Sequence, residues 1–359
     1  MKKVFYLTNI FPLYRESIWR LLRDQTKYDF HFFFSNQDLS GIKSISSSHH
    51  NKYHEIKNHF FLGRLIWQSK FLKELINNKP DILILLGEMN VISNWVIAIY
   101  ARLFRIKVYC WGHGIYGNES ILKRLFRILF LKLAYGQILY GERAKIELIR
   151  NGFEKENLHV VYNSLNYDSQ KKHFEKLLKQ KKQTKVFRLI FIGRLTKTKK
   201  IDQLLKALGK ISNQIKYELN IVGDGSEKSN LVNLKNELGL SNIYFLGPIY
   251  DEETLSELIF NSNVCVSPGN IGLTAMHSLS YGTPVITHND FKNQMPEAEA
   301  ITENINGLFF KKDNIDDLAE KILKSQEVKF VKYLVRSIID EKYNPNFQKQ
   351  VFDNLILKC

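Results

Sequence analysis

Short apolar runs of strand length alternate with segments of helical period along nearly the whole chain, and that alternation leaves few folds open. Runs at 4–7, 30–34, 82–86, 107–111, 138–140 and 159–162 are rich in β-branched and aromatic residues. Between them, apolar positions recur every three to four residues, as over 17–24, 65–76 and 91–104. Strands separated by crossover helices pair in parallel, which predicts a doubly wound α/β sheet. A highly charged stretch at 169–185 interrupts the pattern as a surface helix and linker. The pattern then restarts, with strands at 187–192, 217–222, 243–246, 264–266, 285–287 and 308–310. Helices are expected between them at 200–212, 227–239, 252–261, 272–281 and 315–325. A chain of 359 residues accommodates two domains of roughly 100–200 residues, and the boundary is placed near 180.

Three scattered cysteines, Cys110, Cys265 and Cys359, argue against a disulfide framework and for a reducing compartment. No Cys/His cluster has metal-ligand spacing. Lys2 and Lys3 precede a brief apolar run, but Asn9, Pro12 and Arg15 interrupt it too early for a signal peptide. No apolar stretch reaches the roughly 18–20 uncharged residues of a spanning helix. The formal charge of +16 calls for a polyanionic partner, and nucleic acid, anionic lipid and phosphorylated small molecules all qualify.

In an open α/β sheet, ligands sit beyond the carboxyl ends of the strands. Gly193-Arg194, Gly223-Asp224-Gly225, Gly247-Pro248 and Ser267-Pro268-Gly269 each follow a strand of the second set, so all four loops belong on one edge. The last of them runs through Asn270 and Ile271 into a helix that starts near Gly272, with Leu273, Met276 and Leu279 at helical spacing. Gly282 and Pro284 stop that helix. A loop without bulky side chains entering a helix presents unpaired N–H groups to an anion. Arg194 and Lys199, from the first loop, add cations suited to a diphosphate. An ordinary crossover beside a solvated basic loop is the competing reading.

Two other features point elsewhere. Gly112-His-Gly114-Ile-Tyr-Gly117 matches the dinucleotide fingerprint and has Glu142 after the next strand, so a nicotinamide-dependent enzyme remains an alternative. The segments 60–72 and 119–135 mix aromatic, aliphatic and basic residues and fit helices lying in an anionic lipid interface. Core helices whose cations snorkel outward are the alternative for both. A nucleic-acid binder rests on charge alone, because no recognised nucleic-acid motif appears, and nucleic acid is not expected as a partner.

Five pieces in order resemble the retaining GT-B-fold glycosyltransferases of family 4, the glycosyl transferases group 1. They are Phe191-Ile-Gly-Arg-Leu with Lys199, Ile221-Val-Gly-Asp-Gly-Ser-Glu227, Ile243-Tyr-Phe-Leu-Gly247, Val266-Ser-Pro-Gly-Asn-Ile-Gly-Leu-Thr274 and Tyr281-Gly-Thr-Pro-Val-Ile286. Trp111-Gly-His113-Gly and Tyr162-Asn-Ser-Leu-Asn166 match more loosely. The resemblance implies an α/β GT-B fold, two doubly wound Rossmann-like domains facing a central cleft. It gives 1–180 as the acceptor-binding domain, 181–339 as the nucleotide-sugar-binding domain, and 340–359 as a helix returning to the first.

The resemblance also implies transfer of a sugar from a UDP- or GDP-sugar, with retention of configuration and without metal or cofactor, in surface polysaccharide or glycolipid synthesis. Arg194 and Lys199 would hold the donor diphosphate, and His113 would reach the transferred sugar. Gly193, Gly223, Gly269, Asn270, Ile271, Gly272, Leu273, Thr274 and His277 would line the donor site. Where the family commonly has two glutamates, this chain has Gly269 and His277, and Glu297 is the candidate to replace the lost carboxylate contact. Tyr14, Arg15 and Glu16 stand where an acceptor would enter. A lipid-linked saccharide acceptor is expected, at the inner face of the cell membrane, with the protein cytoplasmic and peripheral. A sugar-nucleotide epimerase on the same fold is the nearest enzymatic rival.

Overall fold

The computed structural model describes residues 1–36, 44–117, 119–180 and 186–358, so the end of the charged stretch, 181–185, lies outside the described residues. The chain divides into two compact units, Met1–Asn166 with Asn344–Cys359 and Tyr167–Tyr343.

Unit 1 is built on a parallel sheet of β1 (Lys2–Leu7), β2 (Tyr28–Phe34), β3 (Tyr53–Glu55), β6 (Ile82–Leu86), β7 (Lys107–Gly112), β8 (Gly136–Leu139) and β9 (Leu158–Val160), in the order β3-β2-β1-β6-β7-β8-β9. Strands covered on both faces read as continuous apolar runs, and Ile82, Leu83, Ile84 and Leu85 are all fully buried. An aromatic core of Tyr6, Phe11, Trp19, Phe30, Phe32 and Trp111 fills one face, joined by Phe352 from the closing helix Pro345–Lys358. That helix is pinned to unit 1 by Gln348, whose amide donates to Tyr162 O at 3.1 Å and whose carbonyl accepts from Ser164 Oγ at 2.7 Å.

Unit 2 repeats the architecture with β10 (Phe187–Ile192), β11 (Tyr217–Val222), β12 (Ile243–Gly247), β13 (Val264–Ser267), β14 (Val285–His288) and β15 (Gly307–Phe310), ordered β12-β11-β10-β13-β14-β15 and parallel throughout. The helix Ile201–Ile211 buries Ile201, Leu204, Leu205, Leu208 and Ile211 against this sheet, as its period predicts.

The helix expected over 65–76 is not one helix. Residues 57–69 form a hairpin of β4 (Lys57–Phe61) and β5 (Leu65–Ser69), and the helix Phe71–Asn78 follows. Gly63, at φ +70°, and Leu62, at φ +47°, supply the left-handed turn that joins the strands. Short apolar runs do not distinguish strand from helix by period alone, and here the turn decided. The segment 60–72, expected as a helix lying in a lipid interface, is therefore a hairpin tip running into a helix start.

The helix Tyr167–Leu178 groups with unit 2, so the contact-defined division falls at Asn166/Tyr167, upstream of 180. Phe174 carries it there, meeting Phe260 at 6.1 Å and Tyr333 at 5.6 Å between ring centroids.

In both sheets the chain starts in the middle, winds to one side, and returns to wind to the other. The order reverses between β1 and β6 in unit 1 and between β10 and β13 in unit 2. Loops leaving such a pair of strands diverge and open a crevice.

Candidate functional site

The unit 2 crevice is built from loops packed backbone to backbone. A Cβ on Gly223 would lie 1.9 Å from Gly193 O, one on Gly225 2.4 Å from Leu195 O, and one on Gly269 2.0 Å from Thr198 O. Real Cβ atoms do not approach so closely, so glycine alone lets the loops after β11 and β13 close on the loop after β10. The turn at 197–199 occupies the space a side chain at 269 would need.

Lys199 reaches over Asn270, donating to its backbone O at 2.7 Å and its Oδ1 at 3.1 Å. Two of three ammonium donors are thereby engaged, and among the described residues the third is left over. Burial, with Arg194 adding repulsion, holds the Lys199 ammonium below its usual range, while Glu297 works the other way. Arg194 itself is exposed.

The helix Leu273–Ser280 opens beneath this loop with Gly272 as its N-cap and no side chain capping its first N–H groups. The Ile271 N–H is already spent, donating to Gln294 Oε1 at 2.7 Å, and the Thr274 hydroxyl turns inward to Ile192 O at 3.0 Å. The open donors are thus those after Ile271. Gln294, absent from the sequence expectation, is the brace of the loop, since its amide also donates to Thr287 Oγ1 and His288 O at 2.9 Å each.

Glu297 is buried in the 3₁₀ turn Pro296–Ala300, and a Cβ on Gly272 would lie 3.8 Å from its Oε2. Its carboxylate is therefore at the helix N-terminus, beside the residues expected to bind the donor. His277, one turn further along, contacts Glu252 Oε1 at 3.0 Å, and that same oxygen accepts from Tyr281 OH. Burial works to raise the Glu252 carboxyl, but the bonds from His277 and Tyr281 outweigh it and hold it low. A carboxylate thus stands beside position 277, supplied by the helix Glu252–Phe260. Nothing in the local sequence spacing signals Glu252.

The unit 1 crevice is an open pocket of about 1190 Å³, lined by residues after β1 and β6, by the β4–β5 hairpin and by the start of the helix Ile121–Leu131. Tyr14 and Arg15 line it; Glu16 is exposed as the first residue of the helix Glu16–Asp24 and is absent from the lining. Arg15 donates from Nη1 to Tyr140 OH at 2.9 Å and stacks near the Tyr140 and Trp111 rings, at 5.0 and 5.5 Å.

Arg127, also buried, holds Glu119 through three hydrogen bonds of 2.7–3.0 Å and faces Glu88 at 3.6 Å. Glu88 in turn accepts from Tyr116 OH at 3.0 Å. The sequence marks Arg127 only as one of the cations of the segment 119–135, and gives no sign that it meets Glu88 and Tyr140 in this pocket, since the three share no motif.

His113 lies between the rings of Tyr116 and Tyr140, at 5.5 and 4.9 Å, with its Nδ1 buried and without a hydrogen-bond partner. Burial, reinforced by Arg15 and Arg127, pushes its imidazole down to about 4. It is neutral at ordinary pH.

The glycines that resemble a dinucleotide fingerprint have a packing reason. A Cβ on Gly112 would lie 3.3 Å from Gly87 Cα, and Gly114 takes φ +68°. The next helix does not open from them but starts at Ile121, so no helix N-terminus meets this turn.

Residues 160–329 match the family model described as Glycosyl transferases group 1. A Klebsiella pneumoniae protein known as an uncharacterized 41.2 kDa protein in the cps region is 27% identical over 184 residues, 50% of this chain and 48% of its own. The poly(ribitol-phosphate) alpha-N-acetylglucosaminyltransferase of Staphylococcus aureus is 25% identical over 231 residues, 58% of this chain and 43% of its own. The matches thus span about half the length of these curated relatives.

Among solved structures, the lipopolysaccharide outer core galactosyltransferase WaaB in its apo form superposes with a TM-score of 0.76, at 17% identity and with 100% of both chains covered. Anabaena HepE in complex with UDP gives 0.71 at 18% identity, with 99% of both chains covered. At these identities the likeness is one of fold, the α/β GT-B class with two Rossmann-like units.

Proposed function

We propose that this chain, which carries a glycosyl transferases group 1 segment over residues 160–329, moves a sugar from a nucleotide-diphosphate sugar to a saccharide acceptor with retention of configuration. The observation that carries the proposal is the unit 2 crevice. There, Lys199 and Arg194 stand over an uncapped helix N-terminus at a topological switch point. Charge grows on the diphosphate as it departs, so fixed cations and oriented N–H groups stabilise the transition state more than the bound donor. A UDP-sugar is the first donor to test, because UDP is bound in the structure of HepE.

In this reading, Gly193, Gly223 and Gly269 let the loops close around the phosphates. Glu297 supplies a carboxylate at the sugar end, and His277, fixed by Glu252, meets the ribose. His113, neutral and with Nδ1 unspent, hydrogen-bonds a substrate hydroxyl. Tyr14 and Arg15 belong to the acceptor pocket.

We assign unit 1 a membrane-facing surface as well, with a lipid-linked acceptor and a role in surface polysaccharide or glycolipid synthesis. No helix among the described residues is long and apolar enough to cross a membrane. However, the helix Ile121–Leu131 exposes Ile121, Leu122, Leu125, Phe126 and Leu129, and the hairpin tip exposes Phe60, Phe61 and Leu62. Both flank the pocket, with Arg64 and Lys123 in its lining. Apolar side chains ringed by cations, on a chain of net charge +16, suit an anionic lipid surface at the inner face of the membrane.

The test of the donor site is a thermal titration with UDP and GDP. A ligand confined to the folded state adds about 2.7 kcal/mol at a hundredfold excess over its Kd. A selective rise with one diphosphate, weakened about 10- to 100-fold by Lys199→Ala, is expected from the loss of a charged hydrogen bond. No rise with either nucleotide would refute the reading.

A further inference from the structure

Arg15 is only 8% exposed, yet its guanidinium has no carboxylate partner among the described residues. Its one hydrogen bond goes to a neutral tyrosine, and its Nε is buried with no partner. It also forms the N-cap of the helix Glu16–Asp24, where the backbone dipole adds positive potential that only the exposed Glu16 offsets within the first turn. Three aromatic rings, of Tyr14, Trp111 and Tyr140, soften this arrangement without neutralising it. A buried, unpaired cation is costly to hold, so its presence in a pocket wall asks for an anion to complete it.

The other charges of the pocket do not fill that role. Among the described residues of its charged lining, Glu88 and Glu119 are the only carboxylates, against Arg15, Arg64, Lys123 and Arg127. Glu119 is taken by Arg127, with Lys123 at 3.6 Å, and Glu88 by Tyr116 and Arg127. The acids are therefore committed to one side of the pocket, and the Arg15 side is left positive. Trp111 and His113, the other groups near Arg15 with unpartnered buried nitrogens, do not line the pocket, so among these three Arg15 alone faces it. A planar or tetrahedral oxyanion matches the fork of a guanidinium.

We infer that Arg15 is the receptor for an oxyanion group, a phosphate or a carboxylate, carried by the saccharide acceptor that enters the unit 1 pocket. The word acceptor rests on the glycosyltransferase reading above; the anion site follows from the pocket alone. Arg15 then sets specificity, because a neutral sugar leaves its charge unpaired while a charged one completes it.

The experiment uses the full chain with Arg194→Ala and Lys199→Ala, which removes the unit 2 cations, and reads melting temperature against glucose 1-phosphate, glucuronate and glucose. One or both anionic probes raise it in a dose-dependent way, and whichever does names the oxyanion; glucose does not. Adding Arg15→Met abolishes the rise. Without ligand, Arg15→Met melts no lower than its parent, since it deletes an uncompensated charge and keeps the packing volume. In the chain with native unit 2 cations, Arg15→Met leaves the UDP response intact.

A response to glucose equal to that of the anions, or an anion response that survives Arg15→Met, overturns the inference. Loss of the UDP response in that variant also overturns it, by assigning Arg15 to the donor. If UDP has no effect while glucose 1-phosphate still depends on Arg15, the transferase reading fails and the anion site stands. Should Arg15→Met not fold, Arg15→Lys keeps the charge but loses the fork, and unchanged anion binding there overturns the proposal too.

Discussion

The two units share a topology and put their crevices at the same place in it, yet they build those crevices from different material. In unit 2 the walls are main chain. Gly223, Gly225 and Gly269 each face another loop's backbone at a distance no Cβ tolerates, and Lys199 is anchored on a carbonyl. In unit 1 the walls are side chains, and Arg15, Glu88, Tyr116, Arg127 and Tyr140 meet from five separate stretches of sequence. A site made of backbone must have glycine at fixed offsets, whereas a site made of side chains can draw its parts from anywhere.

The sharpest way to break that comparison is Gly269→Ala. The added methyl would collide with Thr198 O and Lys199 Cα, both backbone atoms that cannot rotate away. The expected cost is about 3 kcal/mol, at the upper end of ordinary overpacking. Hydrogen exchange should show that cost falling on unit 2, and UDP-dependent stabilisation should disappear with it. A variant that melts and binds like the parent would mean the loops have slack, and the glycine wall would not be a constraint.

That difference in material also explains what was legible in the sequence. The strands of unit 2 and its four loops could be placed from apolar runs and glycines, and the loops do pack together. That position 269 has no room for a side chain, because the 197–199 turn fills the space, shows only in the backbone. Glu252 beside His277 and Gln294 beneath Ile271 were illegible because each arrives from another element, as register and helix packing dictate.

In unit 1, the strand β5 falls inside the stretch 65–76 whose spacing predicts a helix, because the hairpin turn rests on Leu62 in a left-handed conformation, which leucine rarely signals. Of the two readings of 119–135, the core helix with cations snorkelling outward is the one the structure disagrees with, since the helix Ile121–Leu131 buries Arg127 and exposes Ile121, Leu122, Leu125, Phe126 and Leu129.

A second prediction compares buried histidines across the two units. His113 in unit 1 and His288 in unit 2 are both pushed down by burial to about 4. In the unfolded chain each titrates near 6.5, so between pH 6.5 and 4 the unfolded state binds protons that the folded state refuses. Stability is therefore fully present above pH 6.5 and falls as pH drops through that window. Each histidine contributes on the order of 2 kcal/mol of that loss. His113→Asn should flatten the acid slope for unit 1 alone and leave the slope of unit 2, followed by hydrogen exchange, unchanged. An equal effect on both units would mean that the acid response does not originate locally.

The smallest effect on stability is expected where the units differ most in appearance. The helix Ile201–Ile211 in unit 2 hides its aliphatic row, whereas Leu122 in unit 1 is 71% exposed and Phe126 is 59% exposed. Converting both Leu122 and Phe126 to Gln removes little packing, so the melting free energy should change by no more than about 0.5 kcal/mol per site. The same double variant should lose most of its retention on vesicles containing anionic lipid, and added salt should weaken what remains as the basic rim is screened. Unchanged retention would show that charge alone drives any adsorption. A large drop in stability would instead show that this row is covered in the folded protein, and the membrane-facing assignment of unit 1 would fall.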